Sequence, residues 1–329
     1  MANRILTGDR PTGNLHLGHL VGSLQSRAQL QHKYDTFILV ADIQALTTHF
    51  EHPEEIEKNM YRVTLDNLSV GVDPTISTFF IQSMVPAIAE LTIFYSMLVS
   101  VNTLRHNPTI KTEAANYGYD DLTYGFLGYP VSQSADITFC NANLVPVGED
   151  QIPHMELTRK IVRRFNAIYN TDVLTEPEAM LSECPRLAGL DGNAKMGKSL
   201  NNAIFLCDPE ETVKSKIFSA ITDPQRINTK DKGHPEVCSI YHYQQTFNKQ
   251  NSEKICENCK NAQIGCVDCK NALFEKLNET LKPIREKRHY YEERLDTVKE
   301  ILLSGTKKAN EIGNETVAKV KEAMHVKYF

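Results

Sequence analysis

The chain contains no tryptophan among its 329 residues. It has no stretch approaching the ~18 consecutive apolar residues of a membrane-spanning helix, so no such span is expected. Its start, Met1-Ala2-Asn3-Arg4-Ile5-Leu6, runs straight into a strand-like segment and lacks the apolar core and cleavage site of a secretory leader. A cytoplasmic protein is therefore expected. In that compartment its eight cysteines would be reduced thiols or metal ligands rather than disulfides. No internal repeat and no low-complexity tract is visible, which excludes solenoid and disordered classes.

What is present supports a packed core. The hydrophobic fraction is 41% and the charged fraction 23%, and the length predicts two domains. The net charge of -5 is uneven: residues 201–329 carry 21 Lys+Arg against 19 Asp+Glu, and residues 1–200 carry 15 against 22. The more basic second part permits a nucleic-acid partner without requiring one.

The first two hundred residues alternate between strand-like and helix-like segments. Arg4–Thr7 is a short apolar run that ends in the turn cluster Gly8-Asp9-Arg10-Pro11-Thr12-Gly13. A helical pattern follows, with Leu17, Leu20, Val21, Leu24 and Ala28 on one face. Thr36–Ala41 and Ser77–Gln82 read as buried strands, and Glu54–Leu68 and Ala87–Val101 as helices. This alternation predicts an α/β fold with a Rossmann-like, doubly wound parallel sheet. Beyond about Asp208 the segments are helix-like with charged faces: Glu210–Ala220, Asn271–Lys282, Tyr290–Ser304 and Thr306–Met324. The expected division is a Rossmann-like domain at 1–204 and an all-helical domain at 205–329, whose last helix can pack back on the first.

Two motifs carry chemistry. Thr12-Gly13-Asn14-Leu15-His16-Leu17-Gly18-His19 follows the first strand and opens the first helix. A helix N-terminus suits a phosphate, and histidines can donate to phosphate oxygens as charge builds in a transition state. The second is Ala194-Lys195-Met196-Gly197-Lys198-Ser199, with two lysines three residues apart around a glycine. That spacing can bring two charges onto a polyphosphate. Alone, the first segment also reads as a helix cap with two incidental histidines, and the second reads better as an ordinary solvated loop.

Together, in this order, the motifs resemble the HIGH and KMSKS signatures of class I aminoacyl-tRNA synthetases. Further segments narrow the resemblance to the bacterial tryptophanyl-tRNA synthetase family: Thr7–Gly13, Tyr129-Pro130-Val131-Ser132-Gln133-Ser134-Ala135-Asp136-Ile137, Val145-Pro146-Val147-Gly148-Glu149-Asp150-Gln151, His154–Arg159 and Leu200-Asn201-Asn202. The resemblance runs over nearly the whole chain. It implies a tryptophan–tRNA ligase that forms tryptophanyl-adenylate from L-tryptophan and ATP with Mg²⁺, then aminoacylates tRNA(Trp), as a homodimer.

It also implies residue roles. His16, His19, Lys195 and Lys198 would be catalytic. ATP would be held by these together with Arg10, Thr12, Gly18, Lys111, Gly148, Asp150, Met196 and Ser199. Asp136 would accept the indole N–H, and a buried acceptor of this kind can reject analogues lacking the donor. Tyr129 and Gln151 would hold the polar end of the amino acid. Leu6, Gln133, Val145 and Val147 would line the tryptophan pocket. The sequence departs from the family pattern at Leu6, where phenylalanine is common, at Gly197, where serine is usual, and at Gln133, where an apolar residue is common. The helical half would read the anticodon, with Lys282, Arg285, Lys287, Arg288 and Arg294 as candidate phosphate contacts. Tyr290 and Tyr291 could stack on bases or pack in a helix core.

Five cysteines lie between Cys238 and Cys269, including the pairs Cys256-x-x-Cys259 and Cys266-x-x-Cys269. This spacing favours a metal site of thiolates, which suits zinc or an iron–sulfur cluster alike. The resemblance favours a [4Fe-4S] cluster on Cys238, Cys259, Cys266 and Cys269, with Cys256 spare; Zn²⁺ is the alternative. Cys140, Cys184 and Cys207 are expected to be structural thiols. Three rival readings are the tyrosine-specific sister enzyme, a nucleotidylyltransferase, and a non-enzymatic RNA-binding paralogue.

Overall fold

A computed structural model describes residues 3–181, 187–192, 196–197, 200 and 202–328. Five strands form one parallel sheet: β1 (Arg4–Asp9), β2 (Asp35–Val40), β3 (Ser77–Ile81), β4 (Leu144–Val147) and β5 (Glu178–Leu181), in the order β3-β2-β1-β4-β5. The chain winds outward from β1 to β3, then returns to the other side of β1 to begin β4. That reversal opens a crevice at the carboxyl ends of β1 and β4, where doubly wound sheets place their ligands.

The central strands are apolar because helices cover both faces. Along β2, Phe37 and Leu39 join one hydrophobic cluster while Ile38 and Val40 join another. On β3, Phe80 faces the first cluster and Phe79 and Ile81 the second. This is the two-residue alternation of a strand buried on both sides. The first cluster includes Leu91, Phe139 and Val320, and the second includes Leu17, Leu24, Leu273 and Leu277. The last helix, Leu295–Ala323, packs directly on β3, whereas the helix Cys266–Glu292 packs on the helix Glu54–Val70.

The first helical run extends from Leu17 to Leu30 and carries a π-helical turn at Leu20–Leu24. Leu17, Leu20, Val21 and Leu24 are buried, as the apolar face requires. Four expected helices differ from the structure. The segment Ala87–Val101 divides into Pro86–Ser96 and Val101–Arg105. Ser100 caps the second piece, accepting the Thr103 N–H at 3.2 Å.

The expected breaks near Pro283 and Gly305 are absent, and two long helices run over Cys266–Glu292 and Leu295–Ala323. Leu273, Leu277, Leu281 and Ile284 are buried at helical spacing. At ~1.5–3 kcal/mol for each fully buried aliphatic side chain, they offset the ~3 kcal/mol cost of an interior proline. Gly305 is a contact residue: a Cβ there would stand 1.9 Å from the Phe79 carbonyl oxygen. Beside it, Thr306 Oγ1 accepts the Ile81 N–H at 3.2 Å. No helix among the described residues is long and apolar enough to cross a membrane.

Candidate active site and cysteine cluster

A cavity of about 340 Å³ opens at the β1–β4 crossover. Leu6 on β1 and Val145 and Val147 on β4 supply apolar wall. Tyr129, Gln133 and Asp136 enter from the helix Tyr124–Thr138, and Gln151 from the turn after β4. These seven residues share one cavity, and Arg10 and Gly148 line it as well.

Asp136 is 2% exposed. Gln82 Nε2 donates to both of its carboxylate oxygens, at 2.7 and 2.9 Å, and Gln44 Nε2 reaches Asp136 Oδ2 at 3.5 Å. The Gln82 side chain is fixed in turn, because its Oε1 accepts the Gln44 N–H at 3.1 Å. Burial pushes the Asp136 carboxyl up to about 7, against the opposing effect of the two amide donors. Gln44 and Gln82 were not singled out in the sequence. The available signal was a glutamine directly ending the apolar run Phe79-Phe80-Ile81.

Above Asp136, Tyr129 Oη lies 2.9 Å from His154 Nε2. Burial holds His154 down at about 4, so the ring is neutral at physiological pH. Asn107 Oδ1 caps its own helix by accepting the Thr109 and Ile110 N–H groups at 2.9 and 3.4 Å. The Asn107 amide nitrogen therefore faces His154 Nδ1, at 3.4 Å. With Nδ1 accepting, Nε2 carries the ring proton and donates to Tyr129, a tautomer assigned from the hydrogen-bond network. At the rim, Gln133 Nε2 donates to Gln151 Oε1 at 3.4 Å.

The His16–His19 loop stands beside this cavity. His16 Nδ1 accepts the Gly18 N–H at 3.1 Å, and His19 Nδ1 accepts the His16 N–H at 3.2 Å. The two rings lie 3.9 Å apart between centroids. A Cβ at Gly18 would meet the His16 ring at 2.9 Å, so only glycine leaves that ring in place. Asp9, on the cavity wall, is buried against Arg27. Burial opposes its charge, but Arg27, His19 and Asn67 together hold its carboxyl below the usual range.

The segment after the lysine loop pairs with the histidine loop. Leu17 N–H donates to Ile204 O at 2.9 Å, and Leu206 N–H to Leu15 O at 3.0 Å. Asn202 Oδ1 accepts the Gly197 N–H at 2.9 Å. Met196 is 5% exposed and packs in the core beside Gly18. Lys195, Lys198 and Ser199 lie outside the described residues, as do Cys184 and Asn201. Lys111 and Asp150 are exposed and Thr12 half-buried, and none of the three lines the cavity. Thr109 Oγ1 donates to the Asp150 carbonyl at 2.8 Å, tying the Lys111-bearing helix Pro108–Tyr117 to the turn after β4.

One candidate nucleic-acid contact is misplaced. Arg288 is 5% exposed and forms an ion pair with the buried Asp66, so it is a core residue. The clustered cysteines are carried by helices and their starts. Cys256 and Cys259 lie on the helix Lys249–Lys260, Cys266 and Cys269 open the helix Cys266–Glu292, and Cys238 precedes the helix Ser239–Phe247.

Cys238, Cys259, Cys266 and Cys269 line one small apolar cavity with Ile240 and Ile255. Among the described residues, no three His, Cys, Asp or Glu side chains are gathered closely enough to hold a metal ion. Nitrogen donors surround the sulfurs: Arg226 Nη1 donates to Cys259 Sγ at 3.7 Å, and Gln244 Nε2 to Cys269 Sγ at 3.5 Å. Cys140 is fully buried, and burial raises its thiol to about 12.

Comparison with known proteins identifies the family and the fold. A family profile for tRNA synthetases class I (W and Y) matches residues 1–282. The tryptophan–tRNA ligase of Lactococcus lactis subsp. lactis strain IL1403 is 48% identical, covering 99% of this chain and 98% of its own. That of Streptococcus mutans serotype c is also 48% identical with the same coverage. The solved tryptophanyl-tRNA synthetase of Campylobacter jejuni, complexed with ADP and tryptophan, superposes with a TM-score of 0.87 at 31% identity, covering 98% of this chain and 99% of that one. The enzyme from Mycoplasma pneumoniae gives 0.81 at 26% identity, over 99% and 98%. The chain belongs to the tryptophanyl-tRNA synthetase family of class I aminoacyl-tRNA synthetases.

Proposed function

We propose that the cavity at the β1–β4 crossover is the L-tryptophan pocket of an ATP-dependent tryptophan–tRNA ligase, and that the His16–His19 loop beside it receives MgATP. The carrying observation is the buried carboxylate of Asp136 at the end of a cavity walled by Leu6, Val145 and Val147. Asp136 accepts the indole N–H, and Gln82 and Gln44 keep its oxygens aimed. Tyr129, Gln133 and Gln151 meet the amino-acid end.

In the first step a carboxylate oxygen of tryptophan attacks the α-phosphorus of ATP, and the bond to the bridging oxygen breaks to release pyrophosphate. Catalysis is positioning plus stabilisation of charge on the phosphates. His16 and His19 act there with Lys195 and Lys198 of the lysine loop, and Arg10, Thr12, Lys111 and Ser199 assist. Gly18 and Met196 shape the site, while Gly148 and Asp150 face the ribose and adenine. In the second step a hydroxyl of the terminal ribose of tRNA(Trp) attacks the acyl carbon and AMP leaves. Functionally, residues 1–204 activate the amino acid and residues 205–329 read the anticodon, where Lys282, Arg285, Lys287 and Arg294 remain candidate contacts.

Cys238, Cys259, Cys266 and Cys269 fit a sulfur-ligated group, because four thiols share one apolar cavity ringed by the N–H donors of Arg226 and Gln244. A [4Fe-4S] cluster there would act structurally, joining the helices Lys249–Lys260 and Cys266–Glu292. A single Zn²⁺, held by four thiolates at about 2.3 Å, is the alternative. For the homodimer, the exposed Ile93, Met97 and Val101 supply an apolar face. The activity test is ATP–pyrophosphate exchange with tryptophan and with tyrosine. Tryptophan-only exchange is expected, and tyrosine-only exchange would move the chain to the sister specificity.

A further inference from the structure

Besides Asp136 and Asp9, which is paired with Arg27, the cavity is lined by a third carboxylate that the reading above leaves without a role. Glu113, on the helix Pro108–Tyr117, lines the same cavity as Asp136. Its Oε2 is buried and has no hydrogen-bond partner among the described residues. It stands beside the Tyr129 hydroxyl: after burial, the Glu113 carboxylate is the main influence raising that phenol. A carboxylate oxygen held away from water without a partner is costly, and a cation entering the cavity removes that cost.

The two carboxylates differ in what they can accept. Asp136 is engaged by two amide donors and lies at the buried end, which suits a neutral N–H. Glu113 keeps Oε2 without a hydrogen-bond partner among the described residues and sits with Arg10, Tyr129 and Gln151 on the lining. Zwitterionic tryptophan carries one neutral ring N–H and one cationic ammonium. Its carboxylate must turn toward the phosphate being attacked, so the ammonium needs a separate anionic partner. Tyr129 can add a second contact through its oxygen, which takes the His154 proton and has a further lone pair.

We infer that Glu113 binds the α-ammonium of the substrate and so selects an amino acid over other indoles. The inference rests on the cavity being the tryptophan pocket. Glu113 is a specificity residue and not a catalytic one, since it does not touch the reacting carboxylate or the phosphorus.

The test compares L-tryptophan with 3-indolepropionate, which keeps the ring and carboxylate and lacks the ammonium. Binding is read from the ligand's own indole fluorescence, which the tryptophan-free chain leaves without background. Glu113→Gln is expected to weaken L-tryptophan by roughly 10- to 100-fold, the worth of a charged hydrogen bond, and to leave 3-indolepropionate unchanged. Glu113→Asp, with the charge kept, is expected to recover part of the loss. Unchanged L-tryptophan binding in Glu113→Gln overturns the inference. So does an equal loss of both ligands in a variant whose circular dichroism matches the wild type. Asp136→Ala serves as the separate arm and should weaken both ligands alike. If it affects neither, the cavity itself is misassigned and the inference falls with it, a result distinct from failure at Glu113 alone.

Discussion

Asp66 and Arg288 form a buried ion pair between residues 222 positions apart in sequence. Asp66 lies on the helix Glu54–Val70 and Arg288 on the helix Cys266–Glu292. The second carboxylate oxygen of Asp66 accepts the Leu15 N–H at 2.8 Å, directly before His16. One carboxylate therefore joins the C-terminal helical region to the His16–His19 loop proposed to receive ATP.

Breaking that pair should destabilise the protein and disturb the loop together. Arg288→Met leaves Asp66 buried without its counter-charge, and about 3–5 kcal/mol of stability should be lost. Urea unfolding measures this. Pyrophosphate exchange should show a raised KM for ATP with a smaller change for tryptophan, because Leu15 leads into His16 and not into the tryptophan cavity. Equal changes in both would contradict a specific link.

The Asp136 carboxyl imposes a pH dependence. Its folded-state value of about 7 lies above the ordinary 3.8, so the empty protein binds more protons than the unfolded chain between those limits. Stability should therefore fall as pH rises through that window, by up to a few kcal/mol in total. Tryptophan should act in the opposite sense, since an indole N–H bonds the ionised carboxylate more strongly. Its dissociation constant should fall as pH rises from 6 to 8. Thermal melts and fluorescence titrations of wild type and Asp136→Asn check both, and the variant should lose both slopes.

Three glycines should respond differently to alanine. Gly305→Ala puts a Cβ against the Phe79 backbone and should cost more than ~4 kcal/mol, the range of severe core changes. Gly18→Ala displaces the His16 ring. It should lower kcat in pyrophosphate exchange by roughly 100-fold, the cost of about 1 Å of misplacement, with little change in melting temperature. Gly125, inside a helix with open space around it, should gain about 0.5–1 kcal/mol. Chemical denaturation separates the first and third, and kinetics the second.

The cysteine cavity gives an analytical prediction. Anaerobically purified protein should be brown, with iron and sulfide in equal amounts. Cys266→Ser should lose the colour and melt at a lower temperature. Stoichiometric zinc with neither iron nor sulfide would reassign the group.

The amino-acid pattern alone carried the α/β class, the central strands, the apolar face Leu17–Leu24, and the order of segments that resemble the synthetases. These are local or collinear properties, and one chain displays them directly. Nine residues named from that resemblance, Asp136 and Tyr129 among them, line a single cavity. Other features depended on contacts between distant segments. Pro283 and Gly305 look like helix breakers until the partners they pack against are known. Arg288 looks like a surface cation in a basic run, and only Asp66 makes it a core residue. Gln44, Gln82 and Glu113 are ordinary polar letters in sequence. They acquire meaning because folding removes water from around Asp136 and from Glu113 Oε2. Periodicity and motif order are written along the chain, whereas desolvation and pairing arise only when the chain closes on itself.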